Sequence, residues 1–250
     1  MPDPRKPSSN ELLDPVAAYD RLGPYYLQFS KKREAYLRSV EEQIAARIPA
    51  RARSLLDVGA GDGSRAVRIA GAAEISSVVL VEPSAKMLGE APPGCEVWRM
   101  RAEELDPTAI SERFDVVTCL WNVLGHISSF DTRVRALSAV AQLLSPNGMV
   151  FVDVIHRYNV RSYGATMTAA RWVWDLIVPG NSNGDVSARW QTAAGEISTY
   201  GHVFTDCEMR RLADAAGLEC VERIVIDYET GRIRRASCMG NLLYVFRRVS

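Results

Sequence analysis

Two spacings of apolar residues alternate along the chain. Asp14-Pro15 reads as an N-cap followed by proline at the first helical position, and Val16, Tyr19 and Leu22 then recur at helical spacing until Gly23-Pro24 predicts a stop. A second helix is predicted from about Ser30: Tyr36 or Leu37, Val40, Ile44 and Ile48 share a stripe, and Pro49 ends it. The period then changes. Ser54–Val58 is a short apolar strand that breaks at Gly59-Ala60-Gly61-Asp62-Gly63 and re-enters a helix near Ser64. Val78–Val81 is a continuous apolar run, as a strand covered on both faces requires. Pro83-Ser84 opens another helix through Met87, and strands follow at Glu96–Met100, Phe114–Trp121 and Met149–Ile155. Between the last two, Asp131 is the expected cap of a helix carrying Val134, Leu137, Val140 and Leu144, which Ser145-Pro146-Asn147-Gly148 stops. Strand–helix alternation of this kind predicts a doubly wound, parallel α/β sheet.

Residues 156–204 break the alternation. Met167–Val178 reads as a helix rich in large apolar groups, and Val186–Thr192 with Ile197–Phe204 reads as a hairpin turning at Gly195, together an inserted lid. Thr205-x-x-Glu208 is a capping box for a helix through Leu212 that Gly217 closes. Leu218–Tyr228 and Asn241–Phe246 are strand-like, and the Glu229–Gly240 link carries no helical stripe. A parallel return needs a crossover, usually helical. The last strand is therefore expected to run antiparallel. The predicted architecture is a mostly parallel seven-stranded sheet. Its parts are a helical cap (1–53), a ligand-binding core (54–155), the lid between strands 5 and 6 (156–204), and a closing helix and strand hairpin (205–250).

The chain has 250 residues, enough for one large domain with a sizeable core. Thirty Lys and Arg balance thirty Asp and Glu, which argues against a broad electrostatic grip on nucleic acid or an anionic membrane. No apolar run approaches a membrane span, and the first residues form no signal-peptide core; about the first ten look like an unstructured lead. The five cysteines are scattered without a CxxC pair, which predicts reduced thiols and a cytoplasmic protein.

The chemistry concentrates at Asp57-Val58-Gly59-Ala60-Gly61-Asp62-Gly63. Glycines after a strand make a tight turn and let a ligand lie against bare backbone at a helix N-terminus. Dinucleotide sites use a similar G-x-G-x-x-G run, but here Ser64 stands where its last glycine belongs. Asp57 closes the first strand, where a carboxylate suits a cationic amine better than a pyrophosphate. Glu82 closes the second strand, 25 positions later, placed to accept both hydroxyl protons of a ribose. Asp62 either caps the following helix or faces the ligand.

This strand–DVGAGDG–helix–strand–VEPS arrangement resembles the class I S-adenosylmethionine (SAM)-dependent methyltransferases across most of residues 54–155. The resemblance implies that Asp57, Gly59, Ala60 and Gly61 hold the methionine moiety, that Glu82 with Pro83 holds the ribose, and that Ala102 and Glu103 lie against adenine. Arg101 stands where relatives often carry an acid. The FDVVTCLWNVLGH segment matches the fourth-strand motif, placing Leu120 or Trp121 near the methyl donor. Tyr19–Tyr26 resembles the segment that closes over SAM, so Tyr19 and Tyr26 are cofactor candidates.

In-line methyl transfer asks the protein to align a nucleophile, exclude water and take a proton. His126 and His156 follow the fourth and fifth strands, at the carboxyl edge where open α/β sheets bind ligands, and are the candidate bases or substrate ligands. His202 lies in the lid. Asn122, Asp153, Arg157, Tyr158, Tyr163 and Trp172, with His202, are the candidate substrate contacts, a mixture suited to a small organic molecule. Asp153 equally well accepts backbone donors, and the tryptophans equally well pack the lid. The expected function is methyl transfer to an O or N atom of a small molecule by a monomer or homodimer, with no metal, membrane or nucleic-acid partner. A nicotinamide-dependent (NAD(P)) oxidoreductase and a non-catalytic SAM-binding protein are the alternatives.

Overall fold

A computed structural model describes residues 12–249. The expected unstructured lead falls outside the described residues. In chain order the strands are β1 (Ser54–Val58), β2 (Ser77–Val81), β3 (Cys95–Trp98), β4 (Phe114–Cys119), β5 (Leu144–Val154), β6 (Asp185–Thr192), β7 (Gly195–His202), β8 (Leu218–Ile226), β9 (Ile233–Arg234) and β10 (Asn241–Arg248). The main sheet runs β3-β2-β1-β4-β5-β10-β8-β9, and β6 pairs with β7 in a separate hairpin. Strands β1 to β5 are mutually parallel, whereas β10 is antiparallel to both of its neighbours, β5 and β8. The final strand thus returns by a hairpin, as its helix-free link predicts. The main sheet has eight strands rather than seven, because the two-residue β9 folds back on the end of β8.

Helices cover both faces of the sheet, besides the single-turn α5 (Ala85–Leu88) after β2. On one side lie α3 (Glu34–Ala45) and α4 (Ser64–Ala72), on the other α6 (Phe130–Leu143) and α9 (Asp206–Ala215). Helix α3 buries Tyr36, Leu37, Val40 and Ile44, the stripe read from the sequence, against Leu55, Val116 and Phe151 of the sheet. Leu137 and Val140 of α6 join Leu212 of α9 over Leu56, Val117 and Val150 on the other face. Each such side chain contributes ~1.5–3 kcal/mol when fully buried. Two boundaries differ from expectation. Ser129, not Asp131, caps α6; its hydroxyl accepts from Thr132 N at 3.2 Å. Residues 145–148 bulge out of the ladder at the start of β5 instead of preceding it.

The N-terminal segment also departs from its reading. Gly23-Pro24 does not stop α1 (Pro15–Leu22). It tightens into a 3-10 turn, Gly23–Tyr25, that leads into α2 (Tyr26–Lys31). Gly23 keeps helical angles, and proline falls at the start of the new turn, where its missing N–H is not required. This cap packs on the β6–β7 hairpin through Ala18, Leu22 and Ile197, with Tyr19, Tyr26, Phe29 and Trp190 around them. Backbone bonds tie the two together: Leu13 N donates to Ser198 O at 3.0 Å, and the Thr199 hydroxyl to Leu13 O at 2.7 Å. The rest of the insertion, α7 (Val160–Tyr163) and α8 (Ala165–Ile177), is held by polar bonds, because α8 turns Thr168, Arg171 and Asp175 toward the protein and leaves Leu176 and Ile177 exposed. Among the described residues no helix is long and apolar enough to cross a membrane.

Candidate active site

The turn after β1 is built by three glycines in the left-handed region, Gly59 (φ 72°), Gly61 (φ 62°) and Gly63 (φ 73°), a conformation that side chains with a Cβ rarely adopt. A Cβ at Gly59 would meet Val123 at 2.4 Å, and one at Gly61 would project toward Met87 and the Tyr26 hydroxyl, into the cleft itself. Asp62 spends a carboxylate oxygen on the backbone and hydroxyl of Ser64 at 3.1 and 2.8 Å, pinning the entry to α4.

Asp57 is buried at the carboxyl end of β1, and the Thr118 hydroxyl of β4 donates to its Oδ1 at 2.6 Å. Burial raises its pKa, opposed by that hydrogen bond and by the charge of Arg65. Glu82, one residue past β2, accepts from Gly61 N at 2.9 Å and Ser84 N at 2.8 Å. Burial nevertheless raises it to about 7. The same cleft holds a residue the motif reading passed over. Arg65, in the first turn of α4, is 8% exposed, and its Nε and Nη2 lack hydrogen-bond partners; Glu41 stands 3.5 Å from Nε. A buried guanidinium with free donors is costly unless an anion completes it. The only sequence cue was an arginine in the helix behind a glycine turn.

These groups line one cleft of about 910 Å3, part of it open to solvent. All the predicted cofactor positions meet there: Asp57, Gly59, Ala60, Gly61, Glu82, Pro83, Ala102, Glu103 and Leu120 from the core, Tyr19 and Tyr26 from the cap. Arg101 bridges to Asp14, the N-cap of α1, at 2.7 Å and so ties the cap to the Ala102–Glu104 turn.

A second chamber of about 870 Å3 adjoins the first. Four residues line both and form the neck between them: Tyr19, Tyr26, Trp121 and His126. His126 Nδ1 faces the Tyr200 carbonyl at 2.9 Å, so Nδ1 carries the hydrogen and Nε2 accepts from the Tyr19 hydroxyl, also at 2.9 Å. Burial lowers the imidazole pKa and pushes the Tyr19 phenol up, so both are neutral at pH 7. Trp121 and Asn122 both sit in the left-handed region, at φ 56° and 66°, strained for residues other than glycine. Asp153 brackets that turn. One carboxylate oxygen takes the Tyr36 hydroxyl, the other takes Trp121 N at 3.0 Å, and its carbonyl takes Asn122 N.

The predicted substrate contacts divide accordingly. Asn122 and Tyr163 line the second chamber, although the Asn122 amide is already spent on His202 O and Ile155 N. The others line neither chamber. His156 is buried away from both chambers; its Nδ1–H donates to Ser237 O at 3.0 Å, and burial lowers it to about 4. Asp153 has no free oxygen for a ligand. Arg157 forks onto Asp175 at 2.7 and 2.8 Å, and the Tyr158 hydroxyl reaches the same carboxylate, which anchors α8. Trp172 is 54% exposed on the outer side of α8. His202 is clamped between Asp185 and Glu208, at 2.7 and 2.9 Å. Residues the motifs missed here are Phe29, Arg189 and Tyr228, which come from three separate segments.

Residues 29–223 match the sequence model of a family described as methyltransferase domain. No protein of curated function matches the sequence. Among solved structures, the chain is similar to the CcbJ methyltransferase from Streptomyces caelestis, with 20% identity over 85% of this chain and 90% of that one and a TM-score of 0.65. It is also similar to the sugar N-methyltransferase KedS8 from Streptoalloteichus sp ATCC 53650, with 19% identity over 100% and 99% of the two chains and a TM-score of 0.61. A third similar structure is SAM-bound CalS10, an amino pentose methyltransferase from Micromonospora echinaspora, with 21% identity over 90% and 96% and a TM-score of 0.56.

Proposed function

Because the chain belongs to the methyltransferase-domain family, whose cofactor is SAM, we propose that it transfers a methyl group from SAM to an O or N atom of a small molecule held in the second chamber. When bound, SAM supplies a methyl carbon already activated by a positively charged sulfur. The residues of the first cleft suit it. Asp57 would take the amino group, Arg65 the carboxylate and Glu82 the ribose hydroxyls, each satisfying a buried charge that the cleft otherwise leaves underused. A dinucleotide would also set its ribose at Glu82, but its pyrophosphate would meet the buried carboxylate of Asp57 at the turn, which argues against it.

The observation that carries the reading is the neck. A charged cleft and an aromatic chamber meet only across Tyr19, Tyr26, Trp121 and His126, so a donor in one and an acceptor in the other would react at that junction. His126 Nε2 is the proton acceptor there, with its tautomer fixed by the Tyr200 carbonyl. The Tyr19 hydroxyl relays: its oxygen takes the acceptor's proton as its own passes to Nε2. The cap and hairpin, tied at Leu13 and Thr199, keep water out. Titration calorimetry with SAM, S-adenosylhomocysteine and NADH tests the donor site. Binding of the first two is expected, weakened by Asp57→Ala. NADH binding without them overturns the reading.

A further inference from the structure

Deepening that reading, on which it rests for the donor site, we infer that the acceptor is a hydroxylated aromatic ring bearing an anionic group. The hydroxyl lies at the neck and the anion lies at Arg189. The chamber is rich in aromatic rings, with Tyr19, Tyr26, Phe29, Trp121, Trp190 and Tyr228 in its walls. Half or so of their polar atoms are already committed. Trp121 Nε1 donates to the Tyr228 hydroxyl at 3.3 Å, the Tyr19 hydroxyl donates to His126, and both ends of the Asn122 amide are bonded to backbone. A sugar would bring several hydroxyls into this space, and each one lacking a partner costs ~1–3 kcal/mol. A flat ring instead gains offset or edge contacts on every side.

Charge narrows the class further. No carboxylate is among the described residues lining the chamber, and its one formal charge is Arg189, on the exposed side of β6 with only the Ser187 hydroxyl as a bonded partner. An alkylamine enters as a cation, so it meets Arg189 with like charge and must lose a proton before its nitrogen can attack. A phenol needs no prior loss. Its oxygen lone pair forms the new C–O bond as the donor's C–S bond breaks with its electrons to sulfur. The phenolic proton passes to the Tyr19 oxygen while the Tyr19 proton moves to His126 Nε2. Atoms and charge balance with the donor's positive charge ending on the imidazolium.

The test is binding to protein saturated with S-adenosylhomocysteine, followed by tryptophan fluorescence or calorimetry, with three probes: 4-hydroxyphenylacetate, tyramine and glucosamine. The first should bind more tightly than tyramine by about threefold or more, the scale of one exposed charge pair. Glucosamine should not bind. Arg189→Glu should reverse the order of the two ring compounds while leaving S-adenosylhomocysteine affinity unchanged, which also shows that the variant is folded. With SAM, 4-hydroxyphenylacetate should yield its methyl ether, and His126→Gln should lower that rate by about 10²-fold or more while keeping probe affinity. Preference for tyramine or glucosamine overturns the acceptor class, as does binding of no probe to a protein that still binds S-adenosylhomocysteine. Loss of S-adenosylhomocysteine binding in the unmodified protein strikes the donor site instead, and the acceptor class with it.

Discussion

Glu82 is buried where its charge is useful to a ligand and harmful to the fold. Its carboxyl is raised from 4.5 to about 7 by burial, against the pull of the Ser84 and Gly61 N–H groups and with the charges of Asp57 and Asp20 adding to the rise. Each tenfold change in proton affinity is worth ~1.36 kcal/mol, so ionising Glu82 costs the folded, ligand-free chain ~3 kcal/mol. The folded state binds this proton more tightly than the unfolded state does. Its contribution to stability is therefore full below pH 4.5 and is lost as pH rises through 7, with ~2.5 kcal/mol disappearing between pH 5 and pH 8. Glu82→Gln has no such proton. Its single acceptor oxygen cannot serve both Gly61 and Ser84, and the lost hydrogen bond costs ~1 kcal/mol. The net expectation is a ligand-free variant ~1–2 kcal/mol more stable than the parent at pH 8, or ~2–8 °C in Tm for a chain of this size, and less stable at pH 5. Urea unfolding of both proteins at several pH values measures this directly. Parallel pH profiles would refute the reasoning, because they would mean that Glu82 is not the buried carboxylate whose charge the cleft strains to hold. The same variant should bind S-adenosylhomocysteine about 10–100-fold more weakly, since an amide cannot accept both ribose hydroxyls.

The other outcomes are more local. S-adenosylhomocysteine affinity of the parent should weaken as pH falls below 7, because the bound ribose favours the carboxylate form of Glu82; calorimetry across pH 6 to 8 reads the slope. Arg65→Met should weaken S-adenosylhomocysteine by about 10–100-fold and leave 5′-methylthioadenosine, which lacks the amino-acid tail, within about twofold. Equal losses for both ligands would show that Arg65 acts on the fold rather than on the carboxylate. Arg133 is fully buried, bonded to Ile127 O at 3.0 Å and the Tyr200 hydroxyl at 2.7 Å, and lies near Glu208. Arg133→Met should cost ~1–3 kcal/mol in urea unfolding, because it leaves the buried Ile127 carbonyl without its donor.

The donor half of the site was legible because its information is local. A glycine turn, the acid before it and the acid closing the next strand sit within 25 residues, and parallel pairing of β1 with β2 puts Asp57 opposite Leu80 and carries Glu82 alongside the turn. Backbone conformation forces glycine there, so sequence and geometry coincide. The antiparallel β10 was legible for the same reason: a link with no helical stripe leaves few topologies open. Gly23-Pro24 misled because proline at the start of a turn and proline ending a helix read alike in one dimension.

The histidines show why the acceptor half resisted. All three fall at strand ends or in the insertion, so position alone treats them alike, and only their partners separate them. His202 meets two carboxylates, His156 donates to a carbonyl behind the sheet, and His126 alone reaches a tyrosine from a distant helix across a cleft. Tyr19 and His126 are 107 residues apart, and the chamber they border draws on α1, α2, the segment after β4, α7, β6, β7 and the end of β8. No short motif spans such a set. The first cleft is held by one turn and its neighbouring strand, whereas the second chamber is held by the packing of the cap on the hairpin. Substitutions at Ala18 or Ile197, which line neither chamber, should therefore disturb acceptor recognition before they disturb the donor cleft.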